Sequence, residues 1–234
     1  IPSPESFARH FLYSQKFVRE KFGVTVETGY NVDSFGHTGA LPRLLIEGGL
    51  KNYLYMRPSE GHEMHYDFPE ASITRTDADG NTVTEQRPEL TFRWKCGSDE
   101  VLAYRLPEPY CFRFQNDEQL ARWDTYAADA PMDFMIFYGV GNHGGGPTIT
   151  NLREIEKYQN RAAHTFAYSD PDTFFRHIRQ NEYNRLPVYE GDLQNHASGC
   201  YSANSGVKTA NALSEDRLTE AEKWPVMANA LLGQ

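Results

Sequence analysis

Three short segments concentrate side chains that can do chemistry: Asp33-Ser-Phe-Gly-His37, Gly141-Asn-His-Gly-Gly-Gly-Pro147 and Glu190-Gly-Asp-Leu-Gln-Asn-His196. Asp33 and His143 offer a carboxylate oxygen and an imidazole nitrogen, a donor pair that suits zinc. By itself Asp33 also reads as a helix N-cap, because a helical pattern follows it closely. The glycines after His143 strip side chains from backbone that a ligand would approach, and they permit positive φ; a plain turn with a surface histidine is the alternative. Asp192 or Glu190 could add a second carboxylate. Retaining glycoside hydrolysis requires such a pair, about 5 to 5.5 Å apart. Without further context, Asp192 after Gly191 also fits a solvated turn. His62, His65 and Asp67 look like a metal cluster but fall in a polar excursion, so substrate contact or plain surface is the better reading.

These segments need a frame to bring them together, and the hydrophobic pattern supplies one. Apolar residues from Phe7 to Val18 recur at helical spacing behind Ser3 and Pro4, which predicts a leading helix over residues 4 to 21. A strand ending at Asp33, a helix over Gly39 to Leu50 and a strand over Asn52 to Met56 follow as a β-α-β unit. Residues 58 to 90 read as a polar excursion or small hairpin. Leu90 to Trp94 and Val101 to Leu106 form a second hairpin around Gly97. Helices are expected at 116 to 128, 152 to 163 and 171 to 180. The apolar run Asp133 to Val140 reads as a parallel strand covered on both faces, and Thr165 to Tyr168 and Leu186 to Tyr189 read as further strands. Phe174-Phe175 is core packing. Alternation of this kind predicts an α/β protein with a parallel sheet or barrel, whose loops after the strands gather the three segments at one edge. From about Asn204 a Glu/Lys-rich helical pattern begins.

Composition narrows the partners. With 32 acidic and 23 basic residues the chain carries a net charge of −9, and no Lys/Arg cluster marks a phosphate-tracking surface, so nucleic acid is not expected. No apolar run approaches the roughly 20 residues needed to cross a bilayer, so no membrane partner is expected either. Cys96, Cys111 and Cys200 are widely spaced, which predicts free thiols and a reducing, cytoplasmic setting. A homo-oligomer is compatible with all of this.

The three segments also resemble, in order and spacing, the signatures of glycoside hydrolase family 38, the α-mannosidases, most closely the bacterial type. Asp33-Ser-Phe-Gly-His37 runs on into Gly39-Ala-Leu-Pro-Arg, Tyr55-Met-Arg-Pro58 follows the next strand, Tyr138 to Thr148 carries the Gly-rich signature, and Gly191-Asp-Leu193 the third. The resemblance implies an incomplete parallel β/α barrel over residues 1–203, followed at 204–234 by the start of a helical, three-helix-bundle domain. It implies a retaining α-mannosidase with Asp33 as nucleophile and zinc ligand, His143 as a second ligand and Asp192 as acid/base. Arg57, Phe35, Tyr138, His37 and His62 would contact a mannose-containing oligosaccharide or support the groups that do.

The family's earlier His-x-Asp pair would supply the two remaining zinc ligands. His65-x-Asp67 lies downstream of Asp33 and cannot be that pair, so the resemblance implies a piece of a longer catalytic domain. Two other functions fit the same residues: a catalytically silent carbohydrate-binding piece, and a metal-dependent carbohydrate deacetylase that uses a metal-bound water in place of a carboxylate nucleophile.

Overall fold

The computed structural model describes residues 3–58, 70–76, 79–141, 144–194, 197, 199–200 and 203–233. Helix α1, Pro4–Phe22, begins where the Ser3 side chain accepts a hydrogen bond from the Ser6 amide, and it stops at Gly23 in the left-handed conformation (φ 71°). Strand β1 (Thr28–Asn31), helix α2 (Leu41–Glu47) and strand β2 (Asn52–Tyr55) form the expected β-α-β unit, with Thr28 opposite Asn52 and Asn31 opposite Tyr55 in a parallel ladder. Strands β3 (Glu70–Thr76) and β4 (Thr82–Pro88) make a separate antiparallel ribbon within the polar excursion. Strands β5 (Thr91–Cys96) and β6 (Asp99–Arg105) are the second hairpin, closed by a two-residue turn that opens on Gly97 at φ 63°.

Helices α3 (Asp117–Asp129), α4 (Ile149–Gln159) and α5 (Pro171–Asn181) follow, capped by the side chains of Asn116, Thr148 and Asp170. A short 3-10 turn, Tyr183–Arg185, leads to strand β7, Val188–Glu190. Helix α6, Ser205–Leu232, starts where the helical pattern after Asn204 places it.

The main sheet has the order β1-β2-β6-β5-β7. Strands β1, β2 and β6 are parallel; β5 runs against β6, and β7 is parallel to β5. The sheet is therefore mixed. Strand alternation splits its side chains cleanly. Tyr53, Tyr55, Phe92, Trp94, Val101 and Ala103 face Leu41 and Leu45 of α2, while Leu54, Met56, Leu102, Tyr104 and Leu106 face Phe174, Phe175 and Ile178 of α5. Each large apolar side chain buried this way stabilises the fold by about 1.5 to 3 kcal/mol. A third cluster joins α3 to α4 through Leu120, Trp123, Ile155 and Tyr158.

Two expected strands are absent. The run 133–140 is apolar and half-buried, but its backbone joins no ladder. Instead the Tyr104 hydroxyl donates to the Met135 carbonyl and accepts from the Met135 amide, both at 2.7 Å, so one side chain takes the place of a neighbouring strand. Phe137 stacks on Tyr30 of β1 at 5.9 Å. Residues 165–168 are likewise not a strand; Phe166 packs edge-on against Tyr158 of α4 instead. In the run 133–140 burial comes from side-chain packing, which an apolar pattern cannot separate from strand pairing, whereas Thr165, Ala167 and Tyr168 are exposed.

Candidate active site

The register of β1 and β2 places the first candidate residues. Asn31 lies opposite Tyr55 in the ladder, so the same 24-residue offset, carried two residues beyond each strand, sets Asp33 opposite Arg57. The Arg57 guanidinium donates from Nε to Asp33 Oδ1 at 2.7 Å and lies 5.4 Å from the centre of the Phe35 ring. The Asp33 side chain is 54% exposed and that of Arg57 29%. A carboxylate oriented by a guanidinium at a carboxyl strand end, with one oxygen held and open space around it, can approach an electrophilic carbon. Asp33 is thus not a helix N-cap: α2 starts eight residues later, with Ala40 at its cap position.

His37 lies beneath this pair and is 3% exposed. Its Nε2 bonds the Arg57 carbonyl at 2.8 Å, and its Nδ1 bonds the Tyr53 hydroxyl, also at 2.8 Å. Burial pushes its pKa down to about 4, against the opposing pull of the Arg57 carbonyl, so the ring is neutral at physiological pH. A carbonyl only accepts, so Nε2 carries the proton; Nδ1 then accepts from the tyrosine. The rings of Tyr53 and Tyr55 pack edge-on to the imidazole at 5.4 and 5.3 Å. Tyr53, which pattern reading passed over, could have been found from its alternation with Tyr55 on one face of β2.

The first and third segments are bonded directly to each other. The amides and carbonyls of His37 and Leu193 exchange two hydrogen bonds of 2.8 Å, an isolated antiparallel bridge. The Gly39 amide donates to Asp192 Oδ1, and a side chain at Gly39 would press on the Gly191 backbone at 3.0 Å. Trp94 Nε1 donates to the Gly191 carbonyl at 3.0 Å, and the Tyr189 hydroxyl to the Asp192 carbonyl at 2.8 Å. Because β7 runs against β1, its carboxyl end does not lie at Asp33's edge of the sheet. The chain turns back at Gly191 to reach His37. Asp192 is therefore held by Gly39, while Glu190 faces Lys95 at 3.9 Å.

Around the second segment the Val140 amide donates to the Gly146 carbonyl at 2.9 Å, and the Gly139 amide to the Phe112 carbonyl at 2.9 Å. Two of its glycines, Gly141 and Gly145, are set by close approach. A Cβ at Gly141 would meet Cys111 Cβ at 2.1 Å, and one at Gly145 would meet the Val140 carbonyl at 2.5 Å. Tyr138, at the root of this segment, packs between Phe114 (5.7 Å) and Tyr168 (6.4 Å), and burial raises the pKa of its hydroxyl. His143 lies outside the described residues, as do His62, His65 and Asp67. Among the described residues no group of three or more His, Cys, Asp or Glu could hold a metal ion. Cys96, Cys111 and Cys200 are free thiols, and no helix among the described residues is long and apolar enough to cross a membrane.

The fold is α/β, and the loops after β1 and β2 meet at the Asp33–Arg57 pair. Residues 1–192 match the family described as glycosyl hydrolases family 38 N-terminal domain, and the chain belongs to that family. Among curated proteins it is 26% identical over 225 residues to alpha-mannosidase G of Dictyostelium discoideum, covering 95% of this chain and 19% of that protein. It is 26% identical to an alpha-mannosidase of Saccharomyces cerevisiae (99% of this chain, 21% of that protein) and 25% identical to human alpha-mannosidase 2C1 (100% and 21%). The chain thus spans about a fifth of the length of these relatives. The crystal structure of an alpha-mannosidase from Enterococcus faecalis V583 shares the fold with a TM-score of 0.58 at 17% identity, over 82% of this chain and 20% of that one.

Proposed function

We propose that the protein carrying this chain is a retaining α-mannosidase that removes terminal α-mannosyl residues from oligosaccharides, with Asp33 as nucleophile. The observation that carries this reading is the Asp33–Arg57 pair at the ends of two adjacent parallel strands, in a chain whose residues 1–192 match family 38. In the first step the Asp33 carboxylate forms a bond to the anomeric carbon as the glycosidic bond breaks, and the leaving oxygen takes a proton from an acid group. In the second, water deprotonated by that same group cleaves the mannosyl ester and restores Asp33. Arg57 contributes by holding one carboxylate oxygen, which leaves the other to attack.

Asp192 is the proposed acid/base. Its contact with Gly39 also makes it a fastener of the nucleophile loop, and leaving-group dependence separates the two roles. An acid/base variant, Asp192→Ala, loses far more rate on alkyl mannosides than on activated aryl mannosides, whereas loss of a fastener lowers both alike. Phe35, Tyr138 and His62 are proposed to line the mannose site. Zinc is part of the proposal: Asp33 and His143 would hold it together with further ligands, and when bound it would orient vicinal mannose hydroxyls. No step above depends on it. The sheet is proposed to belong to a β/α barrel over residues 1–203, and α6 to open the helical domain that follows.

The test is incubation of the whole protein with a fluorinated mannosyl donor that traps glycosyl-enzyme, followed by peptide mass spectrometry. A mannosyl adduct on Asp33 supports the reading and excludes a metal-water deacetylase. Turnover of aryl α-mannosides with no adduct on Asp33, or no turnover at all, defeats it.

A further inference from the structure

Arg57 and His37 both reach toward Asp33's end of the sheet, but they present different faces to it. Arg57 is partly exposed and touches Asp33 directly. His37 is sealed from solvent with both ring nitrogens engaged, so its ring has neither the surface nor a vacant nitrogen for a sugar hydroxyl. We infer that His37 is a positioning residue, which fixes the Arg57 backbone so that the Arg57 guanidinium holds Asp33 for attack; this rests on the reading of Asp33 as nucleophile.

The geometry is a chain of bonds that closes on itself. The His37 backbone is pinned to Leu193 by two hydrogen bonds of 2.8 Å, so the ring cannot drift with its loop. Tyr53, in the middle of β2, fixes the ring's rotation from one side by donating to Nδ1. From the other side Nε2–H holds the Arg57 carbonyl two residues past the end of β2, where no ladder bond constrains the chain. The Arg57 side chain then turns back across the gap to Asp33, four residues before His37. The ends of β1 and β2 and the segment that turns back after β7 therefore meet at one imidazole. Free of the His37 bond, the Arg57 carbonyl would turn toward water and move the root of the guanidinium with it. Near-attack geometry tolerates little of this, since a displacement of about 1 Å can lower a rate by about 100-fold.

The test uses the whole protein with His37→Ala, His37→Gln and Tyr53→Phe, measuring kcat and KM on an aryl α-mannoside alongside circular dichroism. For H37A we expect kcat to fall about 100-fold with KM within about threefold. H37Q restores a side-chain N–H for the Arg57 carbonyl and should recover about tenfold of that loss. Y53F removes only the hydroxyl that sets the ring's rotation, so it carries the test if H37A does not fold; its kcat should fall with KM unchanged. Unchanged kcat in the folded variants overturns the inference, and so does a raised KM at unchanged kcat, because His37 would then be acting on substrate. The Asp33–Arg57 distance in crystals of Y53F and H37Q decides independently of turnover. A pair opened in Y53F and kept in H37Q supports the inference, and one unchanged in both overturns it. Should the wild-type protein cleave no α-mannoside, the nucleophile reading fails by itself and this distance still decides the positioning role.

Discussion

The loop after β1 and the pair of long helices α1 and α6 are both joined to distant parts of the chain, yet they are held in opposite ways. Residues 33 to 39 are fixed by bonds from β2, from the segment after β7 and from the ring of a buried histidine. Helices α1 and α6 have no buried residue between them. Ser6 donates to Glu215 at 3.0 Å in a half-buried bond and Arg9 to Glu222 at 2.7 Å at the surface, while Leu213, Leu218, Trp224 and Met227 of α6 remain exposed. Hydrogen bonds closed inside a core persist because breaking one strands a polar group away from water; an exposed ion pair exchanges for hydration at almost no cost. The rigid region is the one that carries the candidate nucleophile.

The largest expected effect comes from breaking the rigid side at its floor. Trp94→Ala removes a fully buried ring and the donor to the Gly191 carbonyl, and should cost about 4 kcal/mol, read from the denaturant midpoint at constant m. A loss under about 1 kcal/mol would show that the loop at Gly191 does not depend on this support.

Acid sharpens the same comparison. The folded pKa of His37, about 4, lies below the ordinary histidine value of 6.5, so the unfolded chain binds this proton first as pH falls. The stabilisation from keeping His37 neutral is complete above pH 6.5 and is lost between there and pH 4. Its size is about 3 kcal/mol, from about 1.4 kcal/mol per pKa unit. The difference in unfolding free energy between wild type and H37Q, followed over that window, isolates this histidine from the carboxylates that titrate alongside it. A pH-independent difference would mean that His37 is not buried as a neutral ring. The smallest effect belongs to the other region: Arg9→Ala should leave the unfolding midpoint in place and only speed amide exchange in α6. A large drop in the midpoint would show that the helix pair is part of the cooperative core.

Much of the frame was legible because local signals and tertiary demands agreed. Ser3 with Pro4, Asp170 with Pro171, and Gly97 between alternating strands mark boundaries through backbone chemistry that needs no distant partner. The run 133–140 misled for the opposite reason. Apolar content reports burial, and burial between Tyr104, Tyr30 and two side-chain clusters looks the same in sequence as burial within a sheet. Alternation of strands and helices predicted a parallel sheet, and the sheet is mostly parallel; the tight hairpin at Gly97 makes one pairing antiparallel, so β5 and β7 run against the rest.

For the candidate site, residue types and spacing by themselves determined that Asp33, Arg57 and the segment around Asp192 belong near strand ends, and family 38 was readable from those motifs. Only the tertiary structure decided how they connect. The 24-residue register that sets Arg57 opposite Asp33, the burial of His37 with both nitrogens occupied, and the capture of Asp192 by Gly39 all depend on groups far apart in the chain. A sequence pattern records what each residue can bond. Which partner it bonds depends on which strand end folding sets beside it.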